Sequence, residues 1–269
     1  MRKLEAVLFD LDDTLHDDTL AFRSAADEVA REVAADHGID ALALKDAYIE
    51  EAEGFWKRLT ADQVQEILLT KLSSLRSRLW GNALSSIGLD DPHLAERSAV
   101  NYNLYRKKYF ALFPGALDLL TRLRDAGMKL GLVTNGVSET HTEKIALLEL
   151  SDRFDAIFLA DETGMVKPDP RLFVHACEKL GSRPAATAMV GDRYERDVAG
   201  AIEAGLFTIW MNLRREALPE GAAEPDATVA TIAQAGNVLK RFCKDNGPPK
   251  EPGARSRKIF EQLGTNERR

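Results

Sequence analysis

Short apolar runs alternate with amphipathic stretches along most of the chain. Five runs are strand-like, because they are short, apolar and bounded by polar or turn residues; they occupy residues 4–10, 129–134, 156–160, 186–190 and 206–211. Three later stretches place apolar residues at helical spacing, at 116–126, 170–180 and 197–204. This alternation predicts an α/β fold, in which helices cover both faces of a doubly wound, Rossmann-like parallel sheet.

The pattern is helical between residues 18 and 112. Apolar residues recur at helical spacing over residues 21–37, 41–59 and 61–80, with Gly38 and Gly88 as breaks. A long helical segment directly after the first strand predicts an all-α cap domain inserted into the α/β domain.

These two patterns also predict the domain boundaries. We expect residues 1–17 and 113–242 to form the α/β core and residues 18–112 to form the helical cap. Residues 243–269 contain Gly247-Pro248-Pro249 and scattered lysines and arginines. Such a composition favours a flexible basic tail.

Composition narrows the class of protein. The chain has 269 residues, 45% of them hydrophobic, which is enough to bury a core without disulfides. Its 36 basic and 43 acidic side chains give a net charge of −7, which argues against nucleic-acid or membrane partners. Cys177 and Cys243 match no disulfide framework, and the first residues lack the apolar run of a leader peptide. We therefore expect a cytoplasmic monomer or homodimer whose partner is a small molecule.

Carboxylates follow two of the predicted strands. The first strand runs into Asp10 and Asp12, and the fourth runs into Asp192. Ligands of open α/β sheets bind beyond the carboxyl ends of the strands. Asp10 and Asp12 share a face of an extended segment, where they repel each other unless a cation or a shared proton stabilises them. With Asp192 they would form an oxygen-rich site suited to Mg²⁺, although such carboxylates also cap loops and helices.

Other polar residues belong to the same edge of the sheet. Thr134 and Asn135 follow the second strand and could hold phosphoryl oxygens, or could cap the next helix. Lys167 precedes Pro168 in a rigid loop that could aim its ammonium group inward, although most lysines are exposed. Asp197 is a natural N-cap that could also orient Lys167 or a metal-bound water.

In their order these residues resemble the haloacid dehalogenase-like hydrolase superfamily, in its branch with an inserted α-helical cap. The motifs that carry the resemblance are Asp10-Leu11-Asp12-Asp13-Thr14, then Thr134, then Lys167, then Gly191-Asp192 with Asp197. The four motifs together are far more specific than any one of them alone.

The resemblance implies catalytic roles for two carboxylates. Asp10 is expected to be the nucleophile that forms an aspartyl-phosphate intermediate, and Asp12 to be the general acid and base. Dehalogenases of the superfamily generally have an aromatic residue at the position of Asp12. A carboxyl group there favours phosphate esters as substrates.

The resemblance also implies residues for phosphate binding. Thr134 and Lys167 are expected to bind the transferring phosphoryl group and so to take part in catalysis, with Asn135 as a further contact on the phosphate side. Lys167 would also offset the negative charge of the neighbouring carboxylates.

A Mg²⁺ site is the third implication. The ion is expected to be held by Asp10, the backbone carbonyl of Asp12 and Asp192, with Asp197 in a supporting role. It would bridge the nucleophile and the phosphate and lower their mutual repulsion.

We therefore expect Mg²⁺-dependent hydrolysis of a small phosphomonoester, either a sugar phosphate or a nucleoside monophosphate. A sugar phosphomutase of the same superfamily and a non-catalytic binding protein that keeps the fold are the alternatives. Specificity is expected to lie in the cap and at its border, where the candidate polar residues are His16, Asp17, Arg23, Lys57, Arg58 and Arg106. Each is more typical of a solvated face or a helix cap. We expect His141 and His175 to be structural.

Overall fold

The centre of the protein is a six-stranded parallel sheet. The computed structural model describes residues 3–58, 63, 66–67 and 73–243. The strands are β1 Ala6–Phe9, β2 Lys129–Val133, β3 Ala156–Phe158, β4 Thr187–Gly191, β5 Phe207–Met211 and β6 Ala227–Val229. Their order in the sheet is β3-β2-β1-β4-β5-β6. Val7 of β1 lies opposite Leu130 of β2 on one side and Ala188 of β4 on the other. The order reverses at β1, so the crevice expected for a ligand opens at its carboxyl end.

Helices pack against both faces of this sheet. They are α5 Ala116–Asp125, α6 Ser138–Leu147, α7 Ala160–Thr163, α8 Pro170–Lys179, α9 Ala199–Glu203 and α10 Ile232–Lys240. Successive side chains of β1 point to opposite faces. Accordingly, Val7 belongs to the apolar cluster that includes Leu119 of α5. Leu8 belongs to the cluster on the other face with Phe173 of α8. The predicted α/β fold with a doubly wound parallel sheet is confirmed.

Within the described residues, four helices follow β1 and have a hydrophobic core of their own. They are α1 Asp18–His37, α2 Ala41–Lys57, α3 Ser73–Ser86 and α4 Pro92–Lys108. The rings of Tyr48 and Trp80 stack with their centroids 3.8 Å apart, and Tyr102 lies 5.2 Å from Tyr48. Burial of three aromatic rings in one cluster is a large hydrophobic contribution for a small helical unit. We refer to α1–α4 as the cap; its boundaries at residues 17/18 and 112/113 remain a prediction.

Several elements differ from the sequence predictions. The predicted strand at 156–160 ends at Phe158, since Ala160 already begins the one-turn helix α7. In place of a helix over 197–204, the chain forms a π-helical turn, Tyr194–Val198, followed by the short α9. The strand β6 was not predicted, because its three residues are too few to show a period.

Parts of two predictions fall outside the described residues. The predicted helix over 61–80 is described from residue 73 onward, apart from isolated positions before it, and there it continues to Ser86. Of the predicted tail, 243–269, only residue 243 is described. Within the described part of the chain, no helix is both long enough and apolar enough to cross a membrane.

Candidate active site

Lys167 lies between two buried carboxylates at the carboxyl end of β1. Its Nζ atom is 2.5 Å from Oδ1 of Asp10 and 2.6 Å from Oδ1 of Asp197. Lys167 is 4% exposed and Asp197 is 1% exposed. Burial acts against the charge of Lys167, but the two carboxylates raise its pKa above the usual value. The ammonium group therefore stays charged in a site from which water is largely excluded.

The loop after β4 brings a third carboxylate to this place. Asp10, Asp192 and Asp197 each offer an oxygen atom, and these three atoms lie within 4.8 Å of one another. Burial, followed by the charge of Asp197, raises the pKa of Asp192 to about 7. Burial also raises the pKa of Asp10 well above the usual range, and Lys167 offsets this effect only in part. The cluster thus holds more negative charge than Lys167 alone neutralises.

The chemistry of this cluster fits a Mg²⁺ ion. Three carboxylates in close proximity are hard oxygen donors, which Mg²⁺ prefers, and a divalent cation would relieve the repulsion that raises the pKa values of Asp10 and Asp192. Arg214, just beyond β5, donates from Nη1 to Oδ2 of Asp192 at 2.7 Å and from Nη2 to Asp13. An ion bound at Oδ2 of Asp192 would therefore share that oxygen with a guanidinium group.

Backbone geometry explains how Asp197 reaches Lys167. Its Oδ2 atom accepts a hydrogen bond from the backbone N–H of Arg193 at 2.9 Å, which fixes the carboxylate inside the π-helical turn. A Cβ atom on Gly191 would lie 2.4 Å from the Asp197 side chain, so only glycine fits at the end of β4. Such turns often occur at functional sites.

The two residues after β2 act on this site in different ways. Thr134 is buried, and its Oγ1 atom accepts a hydrogen bond from the backbone N–H of Gly136 at 3.1 Å, so its hydroxyl hydrogen remains available as a donor. Asn135 holds the backbone of Lys167 with both ends of its amide. Its Oδ1 atom accepts from the N–H of Lys167 at 2.7 Å, and its Nδ2 donates to the carbonyl of Lys167 at 3.0 Å. The structure therefore shows Asn135 as a support for Lys167, and its contact on the phosphate side stays a prediction.

Asp12 is held by a different set of partners from Asp10. Its Oδ1 atom accepts from Nζ of Lys144 at 2.9 Å, and its Oδ2 atom lies 3.2 Å from Nε2 of His141. Burial and the charge of Asp18 oppose ionisation, but Lys144 and His141 hold the pKa of Asp12 below its usual range. Although the residue pattern places Asp10 and Asp12 on one face, Asp12 is absent from the three-carboxylate cluster.

His141 is therefore part of the site, whereas the sequence analysis expected it to be structural. A Cβ atom on Gly136 would lie 2.1 Å from the His141 ring, so the ring packs directly on the turn that follows β2. Burial and the neighbouring Lys144 lower the pKa of His141. His175 lies elsewhere, with its ring edge-on to Phe158.

A second charged group joins Asp12 to the cap. Lys144 Nζ also donates to Oδ1 of Asp18, the first residue of α1, at 2.9 Å. Arg106 of α4 forms an ion pair with the same oxygen. His16 is buried beside them, and its Nε2 atom lies 3.4 Å from Oδ1 of Asp18. Its Nδ1 atom lies 2.8 Å from the carbonyl oxygen of Ala111. Lys144 thus links Asp12 on the core to Asp18 on the cap.

The remaining cap candidates have ordinary structural contacts. Asp17 accepts from the N–H of Leu20 and caps α1. Arg23 pairs with Glu53, and Arg58 pairs with Glu51. The side chain of Lys57 lies outside the described residues.

Sequence reasoning missed Lys144, Asp18 and Arg214 as residues of the site. The sequence does contain a signal for Lys144. Lys144 lies three positions after His141 on the helix that follows Thr134, so the two side chains share a helix face. Arg214 has no such pattern, because an irregular loop beyond β5 positions it.

Comparison with known proteins agrees with this geometry. The family model of the haloacid dehalogenase-like hydrolases matches residues 4–205. Glyceraldehyde 3-phosphate phosphatase of Methanopyrus kandleri is 32% identical over 77% of this chain and 83% of its own. N-acylneuraminate-9-phosphatase of Mus musculus is 32% identical over 91% of this chain and 97% of its own.

A solved structure supports the same assignment. The HAD-hydrolase YfnB from Bacillus subtilis, bound to magnesium, matches with a TM-score of 0.68 and 25% identity over 88% of this chain and 99% of its own. The sequence prediction of a phosphatase enzyme with this fold is confirmed. The chain belongs to the haloacid dehalogenase-like hydrolase family.

Proposed function

We propose that the protein hydrolyses a small phosphomonoester, such as a sugar phosphate or a nucleoside monophosphate, in a Mg²⁺-dependent reaction through a phosphorylated Asp10. The single observation that supports this most strongly is the 2.5 Å contact between Asp10 and Lys167 beside the carboxylates of Asp192 and Asp197. A nucleophile, a phosphate-binding cation and a candidate metal site then lie within one small volume.

In the first half of the proposed reaction, a carboxylate oxygen of Asp10 attacks phosphorus. The bond between phosphorus and the ester oxygen breaks, and Asp12 gives the leaving alkoxide the proton that it takes from water in the second half of the preceding turnover. Lys167 and Thr134 bind the equatorial phosphoryl oxygens, on which negative charge must be stabilised. Asp197 and Asn135 hold Lys167 in position for this contact.

In the second half, water attacks the phosphorylated Asp10. Ionised Asp12 takes a proton from this water, and inorganic phosphate leaves as the Asp10 carboxylate is restored. Lys144 and His141 favour the ionised form of Asp12, which is the form that this step requires. Bound Mg²⁺, held by Asp10, Asp192 and the carbonyl of Asp12, would supply charge neutralisation between the nucleophile and the phosphate.

The relatives support this class of substrate without selecting one member of it. Two of them are named as phosphatases of glyceraldehyde 3-phosphate and of N-acylneuraminate 9-phosphate. Small phosphorylated metabolites are accordingly the substrates to screen first.

Release of phosphate from p-nitrophenyl phosphate tests the proposal. We expect activity that requires Mg²⁺, is lost on treatment with EDTA, and falls in Asp10→Asn by about a thousandfold or more, since the amide cannot form the intermediate. Asp46→Asn is a matched control, because the Asp46 side chain is 65% exposed on the cap and should leave the rate unchanged. Activity that survives both EDTA and Asp10→Asn would refute the mechanism.

A further inference from the structure

A cavity of about 230 Å³ lies between the cap and the core. Helices α3 and α4 of the cap and helix α6 of the core line it. Lys144 belongs to this lining and also donates to Asp12 at 2.9 Å. Lys144 thus connects the cavity to Asp12, the proposed acid for the leaving group, and makes the cavity a candidate site for that group.

Most of the charged side chains that line the cavity are paired. Arg106 pairs with Asp18, and Lys144 pairs with both Asp12 and Asp18. Lys107 lies 2.7 Å from Glu143. These pairs leave little net charge on their side of the cavity.

Arg76 of α3 is the exception. It donates a hydrogen bond to Oδ1 of Asn103 and lies with its guanidinium carbon 5.7 Å from the centre of the Tyr102 ring. Among the residues that the structure describes, no carboxylate lies within ion-pair distance of Arg76. Burial, with the nearby charge of Arg106, lowers the pKa of Arg76. Arg76 is only partly exposed, and an anion in the cavity would stabilise a partly buried cation that has no counter-ion.

Glu139 does not supply this anion. It lines the cavity, but it is exposed and lies in the first turn of α6, where the helix dipole stabilises a negative charge. Arg76 therefore remains a cation without a counter-ion in the described part of the cavity.

We propose that Arg76 binds a carboxylate on the leaving group, so that the preferred substrates are phosphomonoesters of hydroxy acids. This inference rests on the proposed function. Guanidinium and carboxylate groups match in a planar, bidentate geometry. A single negative charge balances Arg76, whereas a second phosphate would add a further charge close to Glu143 and Asp18. One water molecule occupies roughly 30 Å³, and the cavity is several times larger. It can therefore admit an acid of several non-hydrogen atoms.

Matched esters that differ in one group test the inference. The pairs are phosphoglycolate with 2-hydroxyethyl phosphate, 3-phosphoglycerate with glycerol 3-phosphate, and 6-phosphogluconate with sorbitol 6-phosphate. In each pair a carboxylate replaces a hydroxymethyl group. For at least one pair, we expect the wild-type kcat/KM to be about tenfold or more higher for the acid, since a charge-assisted hydrogen bond is formed only with it.

Variants assign this preference to one side chain. Arg76→Gln should reduce kcat/KM for the acid by about tenfold more than for its neutral partner, mainly through KM, and Arg76→Lys should restore part of the preference. Arg78→Gln is the control on the same helix, because the exposed Arg78 lies over the Phe55 ring and does not line the cavity. Arg78→Gln should leave the ratio of kcat/KM between the acid and its neutral partner unchanged.

The outcomes separate this inference from the proposed function. Hydrolysis of p-nitrophenyl phosphate but of neither member of any pair would refute only the carboxylate site, whereas loss of activity on p-nitrophenyl phosphate as well would refute the proposed function. Hydrolysis of both members with equal kcat/KM would refute only the carboxylate site, as would an equal loss for acid and neutral ester in a folded Arg76→Gln. If Arg76→Gln does not fold by circular dichroism, the wild-type ratio and Arg76→Lys decide the question.

Discussion

Asn135 shows how a single side chain can position another residue of the site. Its amide makes two hydrogen bonds to the backbone of Lys167, while Lys167 Nζ contacts Asp10 and Asp197. The sequence indicated Asp10 and Lys167, since one ends a strand and the other precedes a helix at the same edge of the sheet. It could not indicate that Asn135 faces Lys167, because that depends on how the two loops pack.

Asn135→Asp should therefore impair catalysis more than folding. Aspartate keeps the oxygen that accepts from the N–H of Lys167, but it cannot donate to the Lys167 carbonyl. We expect kcat for p-nitrophenyl phosphate to fall about tenfold, as one hydrogen bond of about 1–2 kcal/mol is lost. Asn82→Asp is the control, since Asn82 contacts only Glu51 on the cap among described side chains. An unchanged kcat would contradict the supporting role of Asn135.

At the scale of elements, the start of α6 decides where the partners of Asp12 lie. His141 and Lys144 are placed on one face of α6, and Lys144 is only 2% exposed although lysines usually lie at the surface. The sequence predicted a helix before the strand at 156–160, but its rotation about its own axis follows from packing of residues such as Ile145 against the sheet. A buried lysine therefore escaped prediction.

Gly136→Ala should disturb this helix start specifically. The added methyl group would lie 2.1 Å from the His141 ring, so the turn or the helix must shift and move His141 and Lys144 away from Asp12. We expect a fall in kcat of about tenfold or more in a protein that still unfolds cooperatively. Gly81→Ala is a suitable control, because its methyl group would meet Ala95 at an ordinary 3.6 Å. Equal activity of the two variants would show that the helix start tolerates the displacement.

At the scale of the whole molecule, charged side chains join the hydrophobic clusters of the sheet to that of the cap. The sheet has a cluster on each face, and the cap cluster includes the rings of Tyr48, Trp80 and Tyr102. The amphipathic pattern predicted helices both around the sheet and in the cap. It could not indicate the pairing of Lys144 with Asp18 across them, because these residues are far apart in sequence and belong to different helices.

The pH dependence of stability should reveal this pairing. Burial opposes ionisation of Asp18, but Arg106 and Lys144 hold its pKa well below the usual value. A depressed pKa in the folded state contributes stability above the unfolded pKa of about 3.9, and this contribution is lost as the pH falls toward the folded pKa. Asp18→Asn should lower the free energy of unfolding by roughly 3 kcal/mol at pH 7, because two buried cations lose a partner.

Urea unfolding across pH measures this difference. The difference in the free energy of unfolding between wild type and Asp18→Asn should stay constant from pH 8 to about pH 5 and should narrow below about pH 4. Asp36→Asn is the control, since its pair with Arg97 is about half exposed and should contribute less than about 1 kcal/mol. A gap that widens in acid would exclude a depressed pKa at Asp18.

The order of the strands also determines when the active site can assemble during synthesis. Strand β1 leaves the ribosome first, yet Ala6 pairs with Lys129 on one side and with Thr187 on the other. Strand β1 therefore stays unpaired until β2, Lys129–Val133, has emerged, and pairing between distant segments is slow. Asp10 gains its neighbours Lys167 and Asp192 only after the whole cap has been translated, so a nascent chain that stops within the first half has no nucleophile site.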